Sequence, residues 1–392
     1  MNAACLVKYK SFSLDSIDPR QRAWVEVFPS AIRDNTQVVK SLLAENCLLM
    51  AVVKADGYGH GAGTVAEAAL EGGAANLGVA TLQEALDLRK LGISCPILIL
   101  GNLVNLKDLD ACLNWDLIPT ISSSREALLC QKIAESYEKK FNIHIKVDTG
   151  MTRLGCDISS LKSLINLIDT LENIELVGIY SHLALADGER HGQPEIITSL
   201  QKKRFNSLLS NFKPARQNLC RHLANSAGTF RDKALHFDMV RVGLALYGYK
   251  PFEDFADNCS LKPALAVRAR ITLIRDVPSH TGVSYGHDFI TKRPSRLAVV
   301  GIGYADGINR ALSGKISVLI NGYFYPQVGS ITMDQLVIDI TENNDIRIGD
   351  VVTLLGEDKG SSITPYEWSQ ACGSIPWEIL CSFKYRLPRV VI

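Results

Sequence analysis

Short apolar runs alternate with longer amphipathic segments from about residue 22 to residue 245. Eight of the apolar runs are typical of strands, at 24–28, 48–54, 76–81, 96–101, 117–122, 142–148, 176–182 and 222–226. In the segment 124–140, Leu128, Leu129, Ile133 and Tyr137 recur at three- and four-residue steps, which predicts one buried helix face. Eight strands that alternate with helices predict an α/β protein with a (β/α)8, TIM-like barrel. An open doubly wound sheet is the alternative, but no G-x-G-x-x-G motif follows an early strand.

After residue 260 the pattern changes to strands connected by tight turns. Asn321-Gly322 between two apolar runs predicts a β-hairpin. Only two short helices are predicted in this part, near 364–371 and 376–382. The chain is therefore predicted to have three parts: an N-terminal extension over 1–21, a barrel over 22–260 and a mainly β C-terminal domain over 261–392. Within the extension, an extended stretch over 5–14 is a candidate extra strand of the β domain.

Composition narrows the class of protein. Of the 392 residues 47% are hydrophobic and 21% charged, which is too apolar for a disordered chain. The 42 basic and 41 acidic residues leave a net charge of +1, so no basic surface predicts binding to nucleic acid or an anionic membrane. No apolar stretch approaches 18 residues, and the first 20 residues lack the apolar core of a signal peptide. We expect a cytoplasmic protein.

The ten cysteines are scattered, without C-x-x-C pairs or the Cys/His spacing of a zinc site. Most of them stand in apolar runs, as Cys95 and Cys130 do. We expect buried thiols in a reducing compartment, no disulfides and no metal.

Candidate chemistry lies where the predicted barrel strands end, because barrel enzymes place function at the carboxyl ends of their strands. The second apolar run ends in Lys54, and burying an ammonium group is costly unless it is paired or its pKa falls. One interpretation is a lysine that holds an aldehyde such as pyridoxal phosphate as a Schiff base. The alternative from this segment alone is a lysine whose ammonium group reaches solvent at the barrel mouth. Polar groups also end other runs, in the segments 146–155, 180–182, 224–228 and 239–248.

Taken in order, these segments carry a recognisable set of motifs. They are VKADGYGHG at 53–61, KVDTGMTRLG at 146–155, ANS at 224–226, MVRVGLALYG at 239–248, VSYG at 283–286, GIGYADG at 301–307, MDQ at 333–335 and YRLPR at 385–389. The set resembles the alanine racemases, pyridoxal-phosphate enzymes built from a barrel and a β domain. The resemblance covers roughly residues 22–389.

The resemblance implies roles for individual residues. Lys54 would carry the cofactor and act as one base, and Tyr285 of the partner subunit in a homodimer would be the opposing acid or base. Arg241 would face the pyridine nitrogen, and His182 would link Arg241 to Tyr285. Racemisation needs these two bases because a proton is removed from one face of the α carbon and returned to the other. The reaction would interconvert L- and D-alanine and supply D-alanine for cell-wall peptidoglycan.

Further residues would hold the cofactor and the amino-acid substrate. The implied cofactor contacts are Tyr58, Asn225, Ser226, Gly243, Leu244 and Trp377. Arg153 and the Met333 backbone would bind the substrate carboxylate. Residues at the entrance or in support would be Lys146, Asp187, Tyr304, Arg310 and Asp334. Lys146 matches a position that often carries a carbamate in this family.

Three alternatives stay open beside alanine racemisation. A serine racemase or a broad-specificity racemase would use the same scaffold. Amino-acid decarboxylases on this barrel resemble chains with an acidic partner for the pyridine nitrogen, which Arg241 argues against. A non-enzymatic pyridoxal-phosphate carrier would lack the β domain.

This chain departs from the family pattern at three positions. Trp377 stands where a tyrosine is usual, Ser330 where arginine is frequent, and Thr332 where cysteine is common. The Trp377 indole has only an N–H donor, so we expect weaker binding of the phosphate and a narrower pocket over the substrate side chain.

Overall fold

The computed structural model describes residues 18–186, 194–209, 219–252, 259–383 and 385–392. The chain divides into two compact units. The barrel unit comprises Val27–Leu265, Pro376–Ser382 and Val391–Ile392. The β unit comprises the described residues up to Glu26, then Ala266–Ile375 and Phe383–Val390. The candidate extra strand at 5–14 and the candidate entrance residue Asp187 lie outside the described residues.

The barrel is closed by eight parallel strands that follow one another in chain order. After β1 (Ala23–Val27) come the barrel strands β2 (Leu48–Val52), β3 (Asn76–Val79), β4 (Ile97–Asn102), β5 (Ile118–Ile121), β6 (Phe141–Lys146), β7 (Ile174–Tyr180), β8 (Cys220–His222) and β9 (Met239–Val242). The helices of this part are α1 (Pro29–Leu42), α2 (Lys54–Tyr58), α3 (Ala62–Glu71), α4 (Leu82–Lys90), α5 (Leu106–Asn114), α6 (Ser124–Ser136), α7 (Ile158–Ile168), α8 (Pro194–Leu209) and α9 (Ser226–Arg231). The predicted TIM-like barrel is confirmed.

The assignment of strands to the barrel needs one correction. The first predicted strand, now β1, lies in the sheet of the β unit, beside β10 (Leu265–Val277). The barrel is closed instead by β9, whose Met239 pairs with Leu48. Lys54 therefore follows the first barrel strand and not the second. An apolar run of five residues indicates a buried strand but not the sheet that buries it, which explains the error.

The predicted buried face of α6 is also partly wrong. Leu128 and Tyr137 are exposed, while Ile133 is buried with Ala127 and Cys130. The buried residues of α6 are Ala127, Cys130, Gln131, Ile133 and Ala134. Their three- and four-residue spacing is that of a helix face, but of the predicted positions only Ile133 belongs to it.

The β unit is built on a nine-stranded sheet. Its further strands are β13 (Ser295–Val300), β14 (Ser317–Ile320), β15 (Tyr323–Val328), β16 (Leu336–Asp339), β17 (Val351–Asp358), β18 (Ser361–Ile363) and β19 (Arg389–Val391), and β11 (Gly282–Val283) pairs with β12 (Phe289–Ile290) apart from it. In the sheet the order is β18-β17-β14-β15-β16-β13-β10-β1-β19. Asn321 and Gly322 take positive φ between the antiparallel strands β14 and β15, so the predicted hairpin is confirmed.

Two short helices follow, at the predicted places. Helix α10 (Pro365–Cys372) belongs to the β unit, and α11 (Pro376–Ser382) belongs to the barrel unit. Among the described residues no helix combines the length and the apolar character needed to cross a membrane. Nine cysteines fall within the described residues, and each of them is a free thiol.

Candidate active site

Lys54 stands at the carboxyl end of β2, at the start of an unusual turn. The next four residues, Ala55–Tyr58, all have positive φ between 51° and 59°, although only one of them is glycine. The Ala55 N–H donates to Glu84 Oε1 at 2.7 Å, and the Ala62 N–H donates to Asp56 Oδ1 at 2.9 Å. Left-handed residues other than glycine cost on the order of 1–3 kcal/mol each and cluster at ligand sites. The chain is thus held in a strained conformation directly after the candidate nucleophile.

Lys54 and Lys146 share an electropositive site. Burial, and then the charge of Arg153, lowers the pKa of Lys54, although Glu84 opposes the shift. Lys146 is the last residue of β6 and is buried. Burial, followed by the charges of Arg241, Arg153 and Lys54, lowers its pKa to about 8. A lowered pKa increases the fraction of neutral amine, which is the nucleophilic form of lysine.

Arg241 on β9 is the centre of a buried hydrogen-bond network. The residue is only 4% exposed, and its guanidinium donates to the carbonyl oxygens of Ser181 at 2.6 Å and Leu223 at 3.1 Å. It also reaches His182 Nδ1 at 3.2 Å and His222 Nδ1 at 2.9 Å. These four contacts engage three of the five N–H groups of the guanidinium, since its two Nη2 hydrogens are shared among three acceptors.

The network fixes the tautomer of His182. Arg241 has only donors, so His182 Nδ1 must accept and the ring proton is on Nε2. Burial, then the charges of Arg241 and Lys146, keep the pKa of His182 well below its ordinary value. His182 is therefore a neutral ring that presents an N–H donor on its far side.

Two buried histidines extend this network, and sequence reasoning missed their part in it. His222 Nε2 lies 2.9 Å from His144 Nδ1, and burial lowers the pKa of both rings, that of His144 to about 3. The Tyr180 ring stacks on His222 at 4.6 Å between centroids. A signal was present, because His144 and Lys146 are two residues apart on one strand and so point to the same side.

Five predicted cofactor contacts meet at the start of two short helices. Asn225 caps α9 by accepting from the Gly228 N–H, and Ser226 Oγ accepts from the Gly243 N–H at 3.0 Å. Leu244 begins a 3-10 helix directly after Gly243. A Cβ on Gly243 would lie 2.6 Å from the Tyr58 hydroxyl, so the glycine lets this hydroxyl approach the backbone. The first N–H groups of a helix lack acceptors within it, which favours anions there.

Arg153 lies on an exposed loop after β6. Asp148 Oδ1 accepts from the backbone N–H groups of Gly150, Met151 and Thr152 at 2.8–3.1 Å, which shapes this loop just before Arg153. These hydrogen bonds hold the pKa of Asp148 below its ordinary value although partial burial acts against them. The Arg153 guanidinium is exposed, yet its charge acts on Lys54, Lys146 and His182.

Trp377 is the second residue of α11 and is half-buried. This helix packs against α2, the turn that carries Lys54 and Tyr58. The structure thus places the departure from the family pattern beside the candidate cofactor site, within the barrel unit.

The β unit holds the remaining candidates. Tyr285 begins a 3-10 helix and is 73% exposed. The carbonyl oxygens of Thr332 and Met333 accept from the N–H groups of Tyr304 and Ala305, at 2.9 and 3.0 Å. The Met333 side chain is 52% exposed, and its backbone N–H donates to none of the described residues.

Two further candidates of this unit differ in their partners. Asp334 accepts from Arg386 at 2.7 Å, and Arg386 also lies 3.5 Å from the buried carboxylate of Asp306. Arg310 is exposed in another 3-10 helix. The structure therefore groups Tyr304, Met333 and Asp334, and among the described residues no hydrogen bond or ion pair joins Arg310 to this group.

Comparison with known proteins places the chain in a family. The model for the N-terminal domain of alanine racemase matches residues 27–251, and the model for the C-terminal domain matches residues 264–391. An alanine racemase of Prochlorococcus marinus is 73% identical over 382 residues, which are 97% of this chain and 99% of that protein. One of Synechocystis is 45% identical over 95% of this chain and 100% of its own length.

Solved structures agree with this placement. Alanine racemase from Streptomyces lavendulae superposes with a TM-score of 0.87 at 35% identity, over 95% of this chain and 97% of that one. The enzyme from Bartonella henselae, solved with covalently bound pyridoxal phosphate, has a TM-score of 0.84 at 32% identity, over 95% and 99% of the two chains. With both domain models matched in order and this level of identity along the chain, the protein belongs to the alanine racemase family, isomerases that act on amino acids.

Proposed function

We propose that this chain interconverts L- and D-alanine, with pyridoxal phosphate bound covalently to Lys54. The observation that carries the proposal is the barrel mouth, where a lysine with a lowered pKa ends β2 and Arg241 lies on the adjoining strand β9. The family assignment and the cofactor named for the Bartonella henselae structure support it.

The residues present fit pyridoxal phosphate. Gly243 leaves room next to the Tyr58 hydroxyl that a Cβ would fill, and its N–H donates to Ser226 Oγ. Tyr58, Ser226 and the backbone at Gly243 and Leu244 would hold the phosphate. Arg241 keeps N–H groups for the ring nitrogen, and Lys54 supplies the amine for the aldehyde.

When bound, the cofactor supplies an electron-withdrawing ring that makes the α proton of the amino acid acidic. Arg241 cannot give up a proton to the ring nitrogen, because a guanidinium stays charged in proteins. By donating a hydrogen bond without transferring a proton, Arg241 would limit the electron withdrawal by the ring. This restraint would disfavour decarboxylation and transamination.

Two bases would move the α proton. Lys54 would act on one face of the α carbon and Tyr285 of the partner subunit on the other. A phenol acts as a base only as its anion, so a neighbouring donor has to stabilise that anion. The Nε2–H of His182, fixed by Arg241, is the donor that would stabilise the phenolate. Arg153 and the Met333 N–H would bind the substrate carboxylate.

A homodimer with shared sites follows from the same assignment. Mixing inactive Lys54→Ala and Tyr285→Ala variants would form heterodimers in which one of the two sites keeps both bases. We expect partial recovery of racemase activity in isolated heterodimers. Heterodimers without any activity would contradict shared sites.

Lys146 would carry a carbamate. A buried amine with a pKa of about 8 is partly neutral at physiological pH and can attack carbon dioxide, forming an N–C bond and losing one proton. The resulting anion would lie among the charges of Arg241, Arg153 and Lys54 and stabilise their arrangement.

The activity is tested directly on the purified protein loaded with pyridoxal phosphate. We expect D-alanine from L-alanine, the reverse reaction, and visible absorbance that is lost on borohydride reduction, with the modified peptide containing Lys54. Lys54→Ala is the control. A preference for serine would support the alternative of a serine or broad-specificity racemase, and an unmodified Lys54 would contradict the cofactor assignment. We further propose a cytoplasmic enzyme that supplies D-alanine for peptidoglycan.

A further inference from the structure

The main chain around Tyr285 is clamped by two serines. Ser330 Oγ lies 3.1 Å from the Tyr285 carbonyl oxygen, to which it donates, and 3.4 Å from Asp288 Oδ2. Ser284 Oγ donates in turn to the Ser330 carbonyl oxygen at 2.6 Å. The two hydroxyls thus connect the segments 284–288 and 328–331 in both directions.

The backbone of the segment 284–288 includes an unfavourable conformation that the surrounding residues have to stabilise. Ser284 has φ 62° and ψ −167°, a region that residues other than glycine rarely adopt, and Gly286 has φ 78°. A Cβ on Gly329 would lie 2.6 Å from the Val283 carbonyl oxygen, so the two segments are in direct contact. Such conformations persist only where the surroundings determine them.

The segment that holds Tyr285 is itself anchored. The buried Gln327 side chain donates to the carbonyl oxygens of Val328 at 3.0 Å and Gly329 at 2.8 Å. On the other side the Ile331 N–H donates to Ser313 Oγ at 3.0 Å. The main chain on both sides of Ser330 is therefore held by hydrogen bonds.

Side chain and main chain of Tyr285 differ in their surroundings. The phenol is exposed, whereas its carbonyl is tied to Ser330, which is only 4% exposed. A fixed main chain sets where the exposed side chain begins and in which direction it leaves the backbone, without contacts to the phenol. This arrangement suits a group that has to act on another molecule.

We propose that Ser330 is a positioning residue for Tyr285. The inference rests on the proposed role of Tyr285 as one of two bases. It concerns a position where this chain lacks the arginine that is frequent in the family, so the clamp is a property of the residues found here.

The test uses α-proton exchange from each alanine enantiomer into deuterated water, measured on the loaded dimer. Because Tyr285 acts on one face only, Ser330→Ala should slow exchange from one enantiomer about 2- to 10-fold more than from the other, the range for one hydrogen bond. Tyr285→Phe should slow the same enantiomer more strongly. Ser330→Thr keeps the hydroxyl and should restore the ratio.

A matched control separates positioning from general loosening of the fold. Ser369 is also 4% exposed, and its Oγ donates within α10 to the Tyr366 carbonyl oxygen, so Ser369→Ala should leave the ratio unchanged. Should Ser330→Ala not fold, Ser284→Ala removes the clamp from the other side.

The outcomes distinguish this proposal from the proposed function. Equal losses for both enantiomers, or no loss, in Ser330→Ala would overturn the positioning role if Tyr285→Phe remains asymmetric. If Tyr285→Phe itself slows both enantiomers equally, the two-base assignment fails, and the role of Ser330 fails with it.

Discussion

In the barrel unit Arg241 and Lys146 are buried, and Arg241 is hydrogen-bonded to two histidines, whereas in the β unit Tyr285 and Met333 are exposed and the main chain behind them is fixed. Arg241 makes four contacts through its guanidinium, and Lys146 lies against the Tyr180 ring at 5.3 Å. Tyr285 and Met333 are exposed, and each accepts a hydrogen bond through its carbonyl oxygen.

The difference indicates two ways to prepare a group for chemistry. Burial and neighbouring cations change the pKa of Lys54 and Lys146, so the barrel unit sets protonation states. In the β unit the side chains of Tyr285 and Met333 are exposed, and hydrogen bonds hold their main chain instead. Substitutions in the two units should therefore differ in their effects on stability and on activity.

The largest expected effect is a loss of activity without a loss of stability, in Tyr285→Phe. Removing a general acid or base typically lowers the rate by about 10²- to 10⁴-fold. Exposed substitutions change the free energy of unfolding by about 0.5 kcal/mol or less. Racemase assays and urea unfolding of the same samples check both halves. A variant that is strongly destabilised would contradict the exposed position of the Tyr285 side chain.

A loss of stability is expected for His222→Phe. The phenyl ring keeps the volume that stacks on Tyr180 but removes the acceptor for Arg241, and a buried unpaired donor costs about 1–3 kcal/mol. We expect the urea midpoint to fall accordingly. Tyr323→Phe, which also removes a polar group from an aromatic ring but on the exposed surface, is the control and should leave it unchanged. Equal midpoints in both variants would show that the buried network adds nothing to stability.

The barrel could be predicted from the sequence because its signals are local. Each apolar run and each motif, such as the one around Lys54, can be recognised within a short stretch of consecutive residues. The sheet that each strand joins depends on contacts across the chain, and for this reason β1 was assigned to the barrel instead of the β sheet.

The candidate site was predictable to the extent that it lies at strand ends. His144 and His222 were missed because a histidine in an apolar run is as consistent with the core as with a network. For Ser330 the sequence shows the departure from the family, but the partner Tyr285 is 45 positions away. Only the fold brings these two residues together.

Trp377→Tyr tests whether a half-buried residue of α11 affects cofactor binding and substrate choice. A charge-assisted hydrogen bond from a phenol to phosphate is worth about 1.5–3 kcal/mol, so the variant should bind pyridoxal phosphate roughly ten- to a hundredfold more tightly. It should also accept serine more readily, because the smaller ring leaves more room. Cofactor titration and the ratio of alanine to serine turnover measure the two effects. If neither changes, Trp377 serves packing alone.

A pH dependence of stability is expected from Lys146. Its pKa falls from 10.5 to about 8 on folding, so between these values the unfolded chain binds more protons than the folded one, and stability rises with pH. Below about pH 8 both states are protonated, and the full cost of the buried charge remains. In buffer free of carbon dioxide, the free energy of unfolding of the wild type relative to Lys146→Gln should therefore increase from about pH 8 to 10.5. Bicarbonate should reduce this rise, because a carbamate replaces the titrating amine. A difference that is flat with pH, with and without bicarbonate, would contradict the lowered pKa.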